Sequence, residues 1–214
     1  LAALPTNMRG NISWLPLLER VSSAKVEFDW KLPALKTSGA IAADFVVNGE
    51  QRPGRLTFAG EGPLMPADQR AFKVNAEAEL VGGRVTVASE LTSVPAKTTL
   101  TLQNVNPALW LYTLNERDML DDLISKFNGT VVIEPGGGPQ QMRASVDLKA
   151  APFGYGPIVT PEGKTVNIAG NIEADTGTFG YVRGPELAVT IDEDTQLVLR
   201  NWNFPMEDFA LSGE

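Results

Sequence analysis

The feature that most constrains the fold of this chain is a period of two in its hydrophobicity. The clearest stretch lies between Phe72 and Leu80, where its apolar residues are Phe72, Val74, Ala76, Ala78 and Leu80. The residues between them are polar or charged, namely Lys73, Asn75, Glu77 and Glu79. Because successive side chains of a β-strand point to opposite faces, this pattern predicts an antiparallel sheet with one apolar and one wet face. Such an apolar face needs a cover: a second sheet, a partner or an apolar ligand.

Similar alternation predicts a long series of strands, separated by turn residues such as Asn48-Gly49 and Gly82-Gly83. The predicted strands run from Ala24 to Leu32, Ala40 to Val47, Arg55 to Ala59, Ala71 to Val81, Arg84 to Leu91, Thr98 to Val105, Thr130 to Glu134, Gln141 to Lys149, Thr165 to Ala174, Thr178 to Val182, Glu186 to Ile191, Gln196 to Trp202 and Met206 to Leu211. The connection from Ala150 to Gly163 is rich in Pro and Gly and is predicted to be a mobile surface loop.

Two segments have the spacing of short amphipathic helices instead. Ser13 to Val21 carries apolar residues at i, i+3, i+4 and i+7, and Pro107 to Phe127 follows Asn106, a favourable N-cap. Each segment is followed by alternating strands, so the chain repeats one plan of helix and meander. We therefore predict two units, residues 1–105 and 106–214, which form one continuous sheet cut from a longer protein.

Composition excludes several classes of function. The net charge of −8 and a pI near 4.7 argue against binding to nucleic acid or to an anionic membrane surface, because both need clustered Lys and Arg. The chain has no Cys and no His, which removes Ser-His-Asp and Cys-His nucleophile systems and ordinary zinc sites. The sequence thus predicts a protein without catalytic residues, cofactor or metal. An acidic hydrolase that uses paired carboxylates ranks last among the alternatives.

Two stretches around the second helix resemble a recurrent unit of a known family. They are Leu100-Thr101-Leu102-Gln103-Asn104-Val105-Asn106-Pro107-Ala108-Leu109 and Leu123-Ile124-Ser125-Lys126-Phe127-Asn128-Gly129-Thr130-Val131-Val132-Ile133-Glu134. The family is that of the AsmA-like proteins, with TamB-type and YhdP-type relatives, which are long envelope proteins of Gram-negative bacteria. The resemblance implies a strongly curved antiparallel sheet in the periplasm. Its apolar groove would carry phospholipid acyl chains between the membranes and support outer-membrane integrity.

The resemblance also implies an inner-membrane anchor in the full-length protein, outside this chain, and leaves room for other envelope proteins as partners. The fold class we predict is mostly β, a curved antiparallel meander of the β-groove (taco) or sandwich-like kind with two short amphipathic helices. The function we expect is non-enzymatic lipid handling. The rival is a β-sandwich adhesion or structural module of a surface or secreted assembly, because the same alternation would serve two sheets that bury each other.

If the groove interpretation holds, the side chains that line its apolar interior come from both halves of the chain. The residues expected to line it are Val26, Phe28, Trp30, Phe72, Val74, Leu80, Val146 and Ile168.

Overall fold

The computed structural model describes residues 21–31, 34–47, 50–63, 71–91, 97–107, 109, 124–137, 141–155, 157–160, 164–175, 181–191 and 195–205. The strands are β1 (Val21–Lys31), β2 (Ala34–Val47), β3 (Glu50–Pro63), β4 (Phe72–Leu80), β5 (Gly83–Leu91), β6 (Lys97–Val105), β7 (Phe127–Pro135), β8 (Gln141–Ala150), β9 (Gly154–Tyr155), β10 (Ile158–Val159), β11 (Val166–Asp175), β12 (Tyr181–Ile191) and β13 (Thr195–Pro205).

Eleven of these strands form one antiparallel sheet in the order β1-β2-β3-β4-β5-β6-β7-β8-β11-β12-β13. Each strand of this sheet pairs with the strand that follows it in the sequence, except that β8 pairs with β11. The hairpin β9–β10 lies between those two strands in the sequence. Within the described part of the chain the sheet does not close, and β1 and β13 are its two edges. The predicted mostly β, curved antiparallel meander is confirmed. Because β6 pairs with β7, the sheet runs without a break across the predicted boundary between residues 105 and 106.

Several strands are longer than the alternation predicted. β2 begins at Ala34 instead of Ala40, because its pairing with β1 continues past the small residues Ser38 and Gly39 to Lys31. Tyr181 and Val182, the described part of the strand predicted at Thr178 to Val182, belong to the same strand, β12, as the residues predicted at Glu186 to Ile191. A register shift between β11 and β12 lets this strand continue through the irregular stretch around Pro185. Pairing with neighbours, and not local pattern, therefore sets the strand ends.

The second predicted helix ends too late. Phe127 is the first residue of β7, where it pairs with Val105 and Ala150, and residues 124–126 are not helical. Phe127 fits a helical stripe with Leu123 and Ile124, but it also begins the period of two that continues along β7, and sheet pairing prevails. At the start of this segment the backbone is helical at positions 107 and 109. There the Leu109 N–H donates a hydrogen bond of 3.2 Å to Asn106 Oδ1, as an N-cap does.

Some predictions fall on residues outside the described ranges. These are the helix from Ser13 to Val21 apart from Val21 itself, which begins β1, residues 110–123 of the second helix, and the strand from Met206 to Leu211.

The connection predicted as a mobile loop contains ordered structure, which corrects that prediction. Residues 151–155 and 157–160, here called the rim hairpin, include β9 and β10. Thr160 closes the hairpin on Phe153: its N–H donates to the Phe153 carbonyl at 2.9 Å, and its Oγ1 accepts from the Phe153 N–H at 3.1 Å. The sequence signal of Pro and Gly correctly indicated turns. It did not reveal that the turns fold back onto the sheet.

The rim hairpin docks on the residues that lead into β7. The Ile124 N–H donates to the Gly154 carbonyl at 3.0 Å, and the Gly154 N–H donates to Ser125 Oγ at 2.9 Å. Ser125 is fully buried, so its hydroxyl satisfies a backbone group that would otherwise be buried without a partner.

The packed core lies beside this hairpin, at one end of the strands. Phe127 and Ala150 form its centre, and four partly buried side chains pack against them: Leu102, Leu148, Phe153 and Ile168. Among the described residues the buried hydrophobic side chains are Phe45, Leu80, Val105, Phe127, Ala150 and Val166. All of them lie toward this end of the sheet, so the remainder of the apolar face is left only partly covered.

Candidate functional site: an open apolar face

The registers of successive strands align apolar residues into rows that cross the whole sheet. One row contains Val26, Gly39, Phe58, Ala76, Val87, Leu100, Val131, Val146, Gly170, Leu187 and Leu199. The row beside it contains Ala24, Ile41, Leu56, Ala78, Val85, Leu102, Gly129, Leu148, Ile168, Val189 and Leu197. Neither row holds a polar side chain on any of the eleven strands. We call the surface that carries them the apolar face.

The apolar face is long compared with an acyl chain. Ten steps between neighbouring strands, each about 4.8 Å, give a path of roughly 48 Å from Val26 to Leu199. The hydrocarbon core of a whole bilayer, by comparison, is about 30 Å thick. Leu197 is 59% exposed and Val26 is 45% exposed, so the face stays open to its surroundings at both edges of the sheet.

Aromatic rings lie across glycines of neighbouring strands on this face. A Cβ added at Gly60 would come within 2.8 Å of Phe72 Cε1, and one at Gly184 within 2.8 Å of Trp202 Cζ2. Phe58 covers Gly39 and Phe45 covers Gly54 in the same way. Because glycine has no side chain, each ring can lie flat against the sheet, and the rings become part of the apolar surface.

All eight residues predicted to line a groove occupy positions on the apolar face. Phe28 and Trp30 share the phase of Val26 along β1, while Phe72, Val74 and Leu80 follow one another on β4. Val146 belongs to the first row and Ile168 to the second. The structure thus brings the eight positions to one surface. Their environments differ, because Leu80 is buried beside Phe45 and Val26 is open to solvent.

A few hydroxyl groups interrupt the apolar face outside the two rows. Ser89 and Thr98 face each other across β5 and β6, with 2.8 Å between Ser89 Oγ and Thr98 Oγ1. The pair satisfies itself, so these two side chains add little polarity to the surface. Thr37 Oγ1 is buried on the same face and has no hydrogen-bond partner among the described residues.

The opposite face carries a row of charges of alternating sign. Registers and ion pairs align ten of them across neighbouring strands: Asp29, Lys36, Glu61, Lys73, Glu90, Lys97, Glu134, Arg143, Glu173 and Arg183. We call this row the charge ladder. Its ion pairs include Lys36–Glu61 at 3.1 Å, Lys97–Glu134 at 2.7 Å and Arg143–Glu173 at 2.7 Å.

Two of these contacts shift the pKa of a carboxyl group. The hydrogen bond from Lys97 lowers the pKa of Glu134, and the bond from Arg143 does the same for Glu173. In return, Glu134 raises the pKa of Lys97. Opposite charges across neighbouring strands favour the observed register, while like charges would oppose a slip to another one. Sequence reasoning missed the ladder because the signal exists only after the strands are aligned.

One depression of the described surface lies on this charged face, not on the apolar one. It measures about 750 Å³ and is bounded by charged side chains that stand up from β1 to β4, among them Asp29, Lys36, Glu61 and Lys73. Its walls pair with each other in the charge ladder, so we interpret it as water-filled space between long side chains. The volume of a depression is therefore a poor guide to the functional surface, and the uninterrupted apolar rows are a better one.

In the described part of the chain, no three His, Cys, Asp or Glu side chains are grouped so as to hold a metal ion. Over the same residues, no helix has the length and hydrophobicity needed to span a membrane. The sequence matches no protein-family model, and neither curated proteins nor solved structures provide a significant match.

Proposed function

We propose that the apolar face binds the acyl chains of phospholipids. The observation that carries the proposal is the pair of uninterrupted apolar rows, which extend over eleven strands and remain accessible at both edges. A surface of this size would be costly to leave in water, and large exposed apolar patches mark binding sites. A row perpendicular to the strands suits a long, unbranched apolar ligand better than it suits a compact one.

The energetics support such a ligand. Burial of one methylene group contributes about 0.8 kcal/mol, so an acyl chain that buries one side of ten methylenes would gain roughly 4 kcal/mol. Two chains of one phospholipid would double that gain. This free energy is enough for binding but too small to make binding irreversible. Transfer of lipid requires such reversible binding.

With the resemblance of residues 100–134, this surface leads to a wider proposal. We propose that the chain is a non-enzymatic periplasmic segment of an AsmA-like protein that takes part in phospholipid transport between the membranes and in outer-membrane integrity. Its membrane anchor would lie outside this chain. The rival function, a β-sandwich adhesion module, would need a second sheet over the apolar face. The described residues form one large sheet and the small hairpin β9–β10.

A matched pair of variants tests lipid binding. Val131 and Val132 are consecutive on β7 and both half-buried, but Val131 belongs to the first apolar row and Val132 faces the charged side. Val131→Asp places a carboxylate in the path of the acyl chain, whereas Val132→Asp adds the same charge on the wet face.

Binding of a phosphatidylethanolamine with a fluorescent acyl chain should weaken about tenfold or more in Val131→Asp and stay within about twofold in Val132→Asp, because a buried charge without a partner costs several kcal/mol. Circular dichroism would verify that both variants keep the sheet. The proposal fails if the unaltered protein binds no lipid, or if the two variants bind it equally.

A further inference from the structure

The edge strand β1 is regular over most of its length. After a register shift between Val21 and Ser23, residues 23–31 pair with residues 34–42 of β2 without a further shift, and within the described residues β2 is the only strand that pairs with β1. Exposed edges normally carry Pro, a bulge or an inward charge that prevents another strand from joining. Positions 23–31 contain no Pro and no Gly, and the charged residues all share the wet face. The outer side of β1 is therefore a template for strand addition.

The other edge, β13, is protected by comparison. Asn201 has a positive φ of 49° in the middle of the strand, which distorts the row of outward N–H and C=O groups. The strand also ends at Pro205. The two edges therefore differ in their capacity to accept another strand, and β1 is the favourable one.

We propose that β1 pairs antiparallel with β1 of a second copy of this chain, with the two Val26 residues facing each other. This register makes the first apolar row of one copy continue into that of the other, because the row begins at Val26. A two-fold axis through this point keeps both apolar faces on the same side of one sheet of 22 strands. The occupant of the edge is thus a second copy, and the paired surface doubles the length of the apolar face.

The charges of β1 select the same register. Lys25 and Glu27 form an exposed ion pair of 2.7 Å within the strand. When the two Val26 residues face each other, Lys25 of each copy lies opposite Glu27 of the other, and the four groups form a square of alternating charges. In the symmetric registers centred on residue 25, 27, 28 or 29, at least one pair of like charges faces across the strands. Like charges directly opposite are destabilising. The register centred on residue 30 also sets opposite charges, Asp29 and Lys31, across the strands, but it overlaps only residues 29–31 of the two β1 strands.

A charge-swap experiment tests the register. Lys25→Glu and Glu27→Lys each create two pairs of like charges, so each single variant should weaken self-association about tenfold or more in sedimentation equilibrium. The double variant restores opposite charges and should associate as the unaltered protein does. An equimolar mixture of the two single variants should form mixed dimers, since the introduced carboxylate and ammonium then face each other. Lys73→Glu, which breaks an exposed pair of 3.6 Å in the middle of the sheet, is the control and should leave association unchanged.

A cysteine experiment tests the contact directly, because the chain has no Cys of its own. Val26→Cys places two sulfur atoms opposite each other and should give a disulfide-linked dimer on mild oxidation. Ala24→Cys, on the same face two residues away, would hold its sulfur atoms about 14 Å apart and should stay monomeric.

The inference does not depend on lipid binding, so it can fail while that proposal stands. Monomers at every concentration, together with no cross-linking at position 26, would overturn it. A dimer that ignores the charge swaps and cross-links equally at positions 24 and 26 would overturn it as well, because another surface would then hold the copies together.

Discussion

The rim and the middle of the sheet have the same alternating sequence but different environments. At the rim, Phe127 and Ala150 are packed beneath the rim hairpin, and Ala150 has no exposed surface. Across the middle of the sheet, Val131 and Val146 lie opposite each other in the first row and remain partly exposed. Alternation therefore determines which face is apolar. At Phe127 and Ala150 part of the cover comes from Phe153 of the rim hairpin, and the alternation of β7 and β8 alone does not predict that cover.

The largest expected effect comes from breaking the packed end. Phe127→Ala should lower the free energy of unfolding by about 3 kcal/mol, because it removes a buried ring and leaves a cavity. Val146→Ala shortens a partly exposed side chain in the open middle and should cost less than about 1 kcal/mol. Urea denaturation of both variants measures the difference. Equal losses would mean that the middle of the face is as well packed as the rim.

A smaller effect is expected where the hairpin attaches to the sheet. Ser125→Ala removes the acceptor of the Gly154 N–H in a fully buried position, which should cost about 1–2 kcal/mol. Hydrogen exchange should show faster exchange at Gly154 and Thr160, with little change in β3 to β5. If exchange rises uniformly over the whole sheet, the hairpin is not a separate covering unit.

The smallest effect concerns the charge ladder. The pKa values of Glu134 and Glu173 are lowered, so their contribution to stability is complete above the ordinary carboxyl pKa of 4.5 and is lost as the pH falls through the lower folded values. The pKa of Lys97 is raised, so its contribution is lost only as the pH rises above 10.5.

The measurement is the thermal midpoint as a function of pH. It should fall below about pH 4.5, and 1 M salt should reduce the effect, since these pairs are exposed. A midpoint that ignores salt in acid would show that groups other than the ladder carry the acid sensitivity.

Local pattern predicted part of this fold well. The strand predicted from Ala71 to Val81 is observed as Phe72–Leu80, because its alternation is strict and turn residues follow it. Phe127 fits both the helical period of the preceding segment and the period of two of β7, so the sequence pattern does not decide between helix and strand. Its pairing with Val105 and Ala150 does. The rim hairpin was missed for a similar reason. Its contact between Ser125 and Gly154 joins residues 29 positions apart, a distance at which pattern carries no signal.

In the candidate site, too, local pattern predicts some features and strand pairing decides the others. The positions that line the apolar face follow from alternation alone, and all eight predicted positions belong to it. The continuity of the two rows and the alternating signs of the charge ladder require the register of every strand pair. Both features are properties of the assembled sheet and not of any single strand.

The most direct test of the account asks whether lipid lies on the apolar face. Single cysteines at Val146 and Ser145, which are consecutive on β8 and face opposite sides, would carry the same small fluorophore in a chain that has no other Cys. Phospholipids with a spin-labelled acyl chain should quench the fluorophore at position 146 several-fold more than the one at position 145. Equal quenching at both positions, or stronger quenching at position 145, would contradict the proposal that the open apolar face holds acyl chains.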